Sequence, residues 1–128
     1  MTDPSEQMRG CILDMKTYNL AEQAGMFCDG VSEHLAGMDI DFSDSEFVFD
    51  SDEPYEVYFE WYFGDVRAGI CFRADRDESD WFVNRTDGVK MYRYRRTVGE
   101  DIWGCSVPFL EKLAEELANM RGSTCTRQ

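Results

Sequence analysis

The chain has 128 residues and a mass of 14.9 kDa, which is enough for one compact domain and no more. Its 26 acidic residues outnumber 13 basic ones, so the formal net charge at pH 7 is −13. This charge argues against direct binding of the whole protein to nucleic acid or anionic lipid. The sequence contains neither an apolar run of the ~18 residues that a membrane span needs nor a charged-then-apolar leader.

The first third of the chain predicts helices. Asp3 and Pro4 have the form of a helix start, because aspartate caps well and proline suits the first helical turn, and Met8, Ile12 and Met15 follow on one face. A second helix is predicted over residues 17–38. Its apolar residues recur at spacings of three and four: Leu20, Ala24, Phe27, Val31, Leu35 and Met38. Three glycines, Gly25, Gly30 and Gly37, weaken this helix unless they allow a neighbouring element to approach closely.

Beyond residue 38 the pattern changes to a period of two, which indicates strands at residues 47–49, 55–63, 66–73, 81–85 and 90–97. In the second strand, one face carries Tyr55, Val57, Phe59, Trp61 and Phe63, and the other carries Glu56, Tyr58, Glu60 and Tyr62. In the third strand, the corresponding sets are Val66, Ala68, Ile70 and Phe72, and Arg67, Gly69, Cys71 and Arg73. Hairpin turns at Gly64-Asp65 and Asp87-Gly88, with a polar loop at residues 75–80, make the strands an antiparallel meander.

A last helix is expected to start at Ser106 as its cap and to stop at Gly122. Its apolar stripe consists of Phe109, Leu110, Leu113, Leu117 and Met120. The predicted fold is therefore α+β: one or two N-terminal helices, an antiparallel meander of four to five strands, and a C-terminal helix packed on one sheet face. We expect a single domain over residues 1–122 and a disordered tail over residues 123–128.

The five cysteines are Cys11, Cys28, Cys71, Cys105 and Cys125, an odd and widely spaced set. Such spacing favours free thiols in a reducing compartment over a disulfide framework, and we expect a cytoplasmic protein. The single histidine, His34, has no cysteine near it in sequence, so neither zinc nor any other cofactor is expected. We expect His34 to be a surface or boundary residue near a helix end.

Residues 39–50 resemble a calcium-binding loop in part. Asp39, Asp41 and Ser43 occupy its first, third and fifth positions, and Asp50 occupies the twelfth. However, Asp44 stands where an EF-hand requires glycine, and a strand pattern follows where a helix should. No specific calcium site is expected.

The strand at residues 90–97 mixes basic and aromatic residues, as single-strand nucleic-acid binders do. The favoured interpretation is a cross-strand charge ladder, in which these arginines pair with Glu56 and Glu60 or stack on Tyr58 and Tyr62. Four tyrosines form a candidate second interface, including one for a homodimer across the open sheet face: Tyr58, Tyr62, Tyr92 and Tyr94.

The whole net charge belongs to the first half of the chain. Residues 1–60 hold 15 acidic residues against Arg9 and Lys16, whereas residues 61–128 hold 11 of each sign. A field of one sign over so long a stretch exceeds what solubility requires, and it steers association with a partner of opposite sign. The candidate binding surface consists of Glu22, Asp29, Glu33, Asp39, Asp41, Asp44, Glu46, Asp50, Asp52 and Glu53.

Strongly cationic protein surfaces are mostly those that bind nucleic acid. The leading hypothesis is therefore a non-enzymatic inhibitor that occupies the cationic groove of a nucleic-acid-binding partner. Phage-type anti-defence proteins, including anti-CRISPR proteins, are similar in size and charge. One alternative is an immunity protein or antitoxin that neutralises a nuclease toxin. Another is a small hydrolase or transferase that uses buried carboxylates, although no catalytic motif is present.

Overall fold

The computed structural model describes residues 3–12, 18–51, 56–73 and 78–125, without the side chains of residues 18, 19 and 121–125. These residues form three α-helices and one five-stranded sheet, which confirms the predicted α+β class. The elements in chain order are α1 (Pro4–Ile12), α2 (Tyr18–Leu35), a short 3₁₀ helix (Phe42–Asp44), β1 (Glu46–Asp50), β2 (Glu56–Phe63), β3 (Val66–Arg73), β4 (Glu78–Asp87), β5 (Lys90–Val98) and α3 (Ser106–Cys125).

The sheet is an antiparallel meander in the order β1-β2-β3-β4-β5, so each strand pairs with its neighbours in sequence. The alternation predicted for β2 and β3 is confirmed over the described residues, whereas Tyr55 lies outside them. Val57, Phe59, Trp61 and Phe63 of β2 are all buried, and they lie opposite the buried apolar residues of β3. This face of the sheet packs against α2 and α3. We call the other face the open face.

The core is centred on Phe109 of α3. Its ring meets Phe27 of α2 at a centroid distance of 5.6 Å, Trp81 of β4 at 5.8 Å and Trp61 of β2 at 6.3 Å. All four side chains are fully buried. Because aromatic rings each bury a large apolar area, this cluster fixes both long helices on one sheet face. Neither of these helices covers the opposite face of the sheet.

Gly30 is the glycine of α2 that permits close packing. A Cβ atom at this position would lie closer than 3.0 Å to the Trp103 carbonyl and to the Ser106 hydroxyl, so α3 begins directly against the α2 backbone. Gly25 has no neighbouring atom within 4 Å of such a Cβ. The predicted role of small residues is therefore confirmed at Gly30 and is absent at Gly25.

Several predicted boundaries shift by a few residues. β1 and β5 are longer than predicted, and α2 ends at Leu35 rather than at Met38. β4 begins at Glu78, inside the stretch predicted as a loop, because Glu78 continues the antiparallel pairing with Arg73. The second hairpin turn lies at residues 88–89 rather than 87–88, since Asp87 still pairs with Lys90. Both turns place a glycine with positive φ first, Gly64 at 65° and Gly88 at 64°.

The helix ends differ in how well they match the prediction. Asp3 caps α1 as expected, with its carboxylate accepting hydrogen bonds from the Ser5 amide at 2.9 Å and hydroxyl at 2.6 Å. Ser106 does not cap α3: it is the first helical residue, and its hydroxyl donates to the Trp103 carbonyl at 3.0 Å. α3 also continues past Gly122, the expected stop, to Cys125. Residues 126–128 of the expected tail, and Met15, lie outside the described residues.

Candidate functional site

The candidate acidic surface is exposed throughout its described part. Glu22, Asp29 and Glu33 lie on the outer side of α2, because the buried stripe of that helix faces the sheet. The chain then carries further carboxylates through the 3₁₀ helix and onto the edge strand β1. The described and exposed members are Glu22, Asp29, Glu33, Asp39, Asp41, Asp44, Glu46 and Asp50, whereas Asp52 and Glu53 lie outside the described residues.

Few cations neutralise this surface. Asp29 forms an ion pair with Arg9 of α1 at 2.6 Å, and both side chains remain largely exposed. Six members make no salt bridge to a described residue: Glu22, Glu33, Asp39, Asp41, Asp44 and Glu46. The α2–β1 segment therefore presents a field of one sign to solvent.

Asp41 has a structural task as well. Its carboxylate accepts hydrogen bonds from the hydroxyl and, at 3.0 Å, the backbone amide of Ser43, which caps the 3₁₀ helix. These bonds to the Ser43 side chain and backbone lower the pKa of Asp41. In the described part of the chain, no group of three or more His, Cys, Asp or Glu side chains is arranged to hold a metal ion. The hydrogen bonds of the Asp41 carboxylate stabilise the turn at residues 39–44.

A second surface, absent from the sequence prediction, lies on the open face. It is a concavity of about 710 Å³ between β2 and β5. Its lining is Tyr58, Asp65, Arg67, Cys71, Arg73, Asp80, Phe82, Asn84, Thr86, Met91, Arg93 and Arg95. Four arginines against two aspartates give this lining the charge sign opposite to that of the whole chain. The volume falls in the range of small-molecule sites, roughly 300–1,000 Å³.

Glu60 lies beneath one side of this concavity and is only 2% exposed. Its carboxylate accepts hydrogen bonds from the Tyr58 hydroxyl at 2.6 Å, the Tyr62 hydroxyl at 3.0 Å and the Arg67 Nε at 2.6 Å. A buried carboxylate needs such partners, because an unpaired charge away from water is costly. Burial and the bond to Glu60 raise the pKa of Tyr58, so its phenol remains a donor at neutral pH.

Asp80 of β4 lies at the other side of the concavity. It is 5% exposed, and one of its oxygens accepts hydrogen bonds from Arg73 and, at 2.6 Å, from Arg95. Burial raises the pKa of Asp80, but hydrogen bonds from Thr97, Arg73 and Arg95 outweigh burial and lower the pKa to about 2. Arg73 also bonds to Glu56 at 3.0 Å. Two guanidinium groups are therefore fixed in place by a carboxylate that stays charged.

The floor between these clusters is aromatic. Tyr58 and Phe82 stack with ring centroids 5.9 Å apart and an angle of 9° between their planes. Phe82 covers the backbone of Gly69, where a Cβ atom would lie 2.8 Å from the ring and 2.5 Å from the Phe59 carbonyl. A glycine is therefore required at this position of β3, because a Cβ atom would occupy the space of the Phe82 ring and of the Phe59 carbonyl.

The predicted pairing of β5 arginines with Glu56 and Glu60 is wrong, although a cross-strand charge ladder exists on this face. The partners of Glu60 and Glu56 are Arg67 and Arg73 of β3, because β3 and β4 lie between β2 and β5. On β5, Arg95 pairs with Asp80 at 2.6 Å. Arg93 makes no salt bridge to a described residue, and its Nε lies 2.9 Å from the Met91 sulfur.

The four tyrosines do not share a surface. Tyr58 and Tyr62 lie on the open face, where both donate to Glu60. Tyr92 and Tyr94 alternate to the other side of β5, where Tyr94 packs on Trp81 at 5.0 Å and Tyr92 lies under the Arg85 guanidinium at 4.0 Å. A homodimer across the open face could therefore use only the first two of them. Arg96 likewise lies opposite Trp81, on the face away from the concavity.

Three described thiols are poorly suited to nucleophilic chemistry. Cys28, Cys71 and Cys105 are free thiols. Burial raises the pKa of Cys28 and of Cys105 to about 12, and it also raises the pKa of Cys71 in the concavity. Since the thiolate is the nucleophile, these groups are weak nucleophiles at neutral pH. His34 is half-buried, with its ring edge-on to Trp103 at 5.1 Å, as expected of a boundary residue.

Alternation indicates only which arginines share the open face. The polar positions of β3 carry Arg67 and Arg73, six residues apart, and those of β5 carry Arg93 and Arg95, two residues apart. The meander places β3 and β5 two positions apart, so the concavity itself follows from strand order and register. The chain matches no protein-family model, no curated protein and no solved structure. None of the described helices is both long and apolar enough to cross a membrane.

Proposed function

We propose that the protein is a non-enzymatic inhibitor whose acidic surface occupies the cationic groove of a nucleic-acid-binding protein. The observation that carries the proposal is the exposure of all eight described carboxylates on α2, the following turn and β1. Six of them make no salt bridge to a described residue: Glu22, Glu33, Asp39, Asp41, Asp44 and Glu46. Unpaired charges of one sign raise the association rate with an oppositely charged surface and select against partners of like charge.

The carboxylates of α2, the turn and β1 together suit a nucleic-acid-binding groove better than the carboxylates of a single strand would. Alternate residues of one strand lie ~6.7 Å apart, whereas duplex DNA carries a phosphate every ~3.4 Å along each strand. A helix, a turn and an edge strand together offer carboxylates at several depths and angles. In this proposal α2 and β1 supply the two sides of the anionic surface, and residues 39–44 connect them.

The proposal includes a cytoplasmic location, which the free thiols of Cys28, Cys71 and Cys105 support, and it invokes no cofactor. A phage-type anti-defence inhibitor and an immunity protein for a nuclease toxin would use the same surface. They differ in the partner: a nucleic-acid-binding defence complex for the first and a single cognate toxin for the second. The identity of the captured protein separates them.

The test is affinity capture from nuclease-treated lysate of the source organism or its host, followed by competition with duplex DNA or RNA. A groove occupied by the acidic surface predicts a basic nucleic-acid-binding protein that is released both by high salt and by added nucleic acid. A partner that binds the protein and nucleic acid simultaneously contradicts groove occupation. If no cationic protein is captured, the proposal is rejected and the negative charge serves solubility. The hydrolase or transferase hypothesis would then be tested by substrate screens.

The charge-reversal variant should spare Asp41, because its carboxylate caps the 3₁₀ helix. We choose Glu33→Lys, Asp39→Lys and Asp44→Lys together, since all three side chains are exposed and make no salt bridge to a described residue. The expected result is at least a hundredfold loss of affinity for the captured partner. The matched control reverses three exposed carboxylates outside this surface that also make no salt bridge to a described residue: Asp65→Lys, Glu100→Lys and Glu111→Lys. An equal loss of affinity in both variants would show that net charge alone determines binding, and it would reject a specific binding surface.

A further inference from the structure

We propose that the concavity on the open face binds a small planar anion, namely an aromatic ring that carries a phosphate or carboxylate group. This site is separate from the acidic surface on α2 and β1, and it holds whether or not the acidic surface binds a partner. Three features of the lining specify the ligand: its charge, its aromatic floor and its fixed guanidinium groups.

The charge of the lining selects an anion. Arg67, Arg73, Arg93 and Arg95 surround the concavity, while Asp65 and Asp80 are its two acidic lining residues. Arg67 and Arg95 keep about half or more of their side chains exposed, 48% and 64%, although each already bonds to a carboxylate. Their remaining N–H groups can therefore donate to a ligand. Guanidinium groups match carboxylate and phosphate oxygens in geometry as well as in charge.

The floor selects a planar ring. Tyr58 and Phe82 lie nearly parallel, and Gly69 removes the side chain that would otherwise separate Phe82 from the strand. Offset stacking on such a surface favours aromatic ligands over aliphatic ones. Met91 and Cys71 add polarisable sulfur atoms to the lining.

The arginines are held in place before any ligand arrives. Asp80 bonds to Arg73 and Arg95, and Glu60 bonds to Arg67, so buried carboxylates at both sides of the floor orient the guanidinium groups. Fixing these long side chains in advance reduces the entropy that binding would otherwise lose. Arg93 differs, because it makes no salt bridge to a described residue and its charge is available to the ligand.

The net charge of the chain argues for a small ligand rather than a polymer. Each added phosphate of a nucleic acid would meet the repulsion of a protein with a formal charge of −13. A ligand with one or two negative charges can be bound by Arg93 and by the remaining N–H groups of Arg67 and Arg95. The ring and its anionic group also fit together inside about 710 Å³, whereas an extended strand would leave the concavity at both ends.

The test titrates the intact protein with two planar anions, 2-naphthoate as the carboxylate probe and adenosine monophosphate as the phosphate probe. Isothermal titration calorimetry measures affinity, and 2-naphthamide and adenosine serve as the uncharged analogues. We expect saturable binding of at least one anion with a Kd below about 1 mM and at least tenfold weaker binding of its uncharged analogue. The anion that binds identifies the carboxylate or the phosphate source.

Two variants of β5 locate the site. Arg93→Gln removes a charge in the concavity, and Arg96→Gln removes the same charge from the same strand on the opposite face. We expect Arg93→Gln to weaken binding at least fivefold and Arg96→Gln to change it less than twofold. Phe82→Leu tests the floor: it should weaken binding of the aromatic anion, while circular dichroism and thermal unfolding report whether the fold is retained.

Three results would overturn the proposal. The first is failure of both anions to bind below 1 mM. The second is an equal loss of affinity in Arg93→Gln and Arg96→Gln, which would indicate an effect of net charge alone. The third is tighter binding of a ten-residue oligothymidylate than of either small anion, which would identify a single-stranded nucleic-acid surface instead.

Discussion

Arg85 of β4 and Glu116 of α3 form an ion pair inside the protein, with Nε and Oε2 2.7 Å apart and both residues less than 8% exposed. Tyr92 lies under the Arg85 guanidinium with its ring centroid at 4.0 Å. Glu116 is also 3.6 Å from the Lys112 ammonium, one turn back along α3. The pair fixes the position of α3 along the sheet, in addition to the apolar contacts of Phe109.

Removing one partner of this pair should be much more damaging than removing both. We expect Arg85→Met to lower the free energy of unfolding by about 3 kcal/mol, because it leaves the Glu116 carboxylate buried without its main partner. The double variant Arg85→Met/Glu116→Leu should return to within about 1 kcal/mol of the parent, because both charges are replaced by apolar groups of similar volume. Urea unfolding followed by tryptophan fluorescence measures both values. Equal destabilisation of the single and double variants would show that Arg85 acts through packing, not through the pair.

The two glycines in the middle of α2 should respond in opposite directions to alanine. Gly30→Ala places a Cβ atom against the backbone of Trp103 and the hydroxyl of Ser106, so α3 must shift, and we expect a loss of about 2 kcal/mol. Gly25→Ala meets no atom within 4 Å, and we expect a gain of up to about 1 kcal/mol from the better helix propensity of alanine. Thermal unfolding of the two variants is a direct comparison within one helix. A gain of stability in both variants would indicate that α2 and α3 lie farther apart at Gly30 than the structure shows.

The sequence predicted those parts of the fold that depend on local pattern. Val57, Phe59, Trp61 and Phe63 alternate with polar residues, and a period of two is sufficient to assign both faces of β2. The stripe of α2 was equally readable, since Phe27 and Val31 recur at helical spacing. Boundaries were less accurate, because cross-strand pairs such as Glu78 with Arg73 decide where a strand begins.

The concavity could not be derived from local pattern, because its geometry depends on strand register. Asp80 meets Arg73 seven residues before it and Arg95 fifteen residues after it. Only the pairing of β3, β4 and β5 reveals that one carboxylate serves both arginines. The failed cap at Ser106 has a similar origin, since close contact with Gly30 directs its hydroxyl to the Trp103 carbonyl. By contrast, the acidic surface could be predicted from the charge composition and from the predicted position of α2.

Asp80 should make stability depend on pH in the acid range. Its pKa in the folded protein is about 2, below the ordinary value of 3.8, because hydrogen bonds from Thr97, Arg73 and Arg95 outweigh the effect of burial. The folded state therefore binds the proton less readily than the unfolded state. The stabilisation is fully present above the ordinary pKa and is lost as the pH falls from about 4 towards 2.

We accordingly expect Asp80→Asn to lower the free energy of unfolding by about 2 kcal/mol at pH 7. The difference between parent and variant should stay constant down to about pH 5 and shrink between pH 4 and pH 2, where the parent aspartate becomes protonated. Urea unfolding at a series of pH values measures the difference. Asp65→Asn is the control, because Asp65 is exposed and makes no salt bridge to a described residue, and it should change stability by less than about 0.5 kcal/mol. A loss in Asp80→Asn that persists undiminished at pH 2 would assign the role of this residue to shape and neutral hydrogen bonding rather than to its charge.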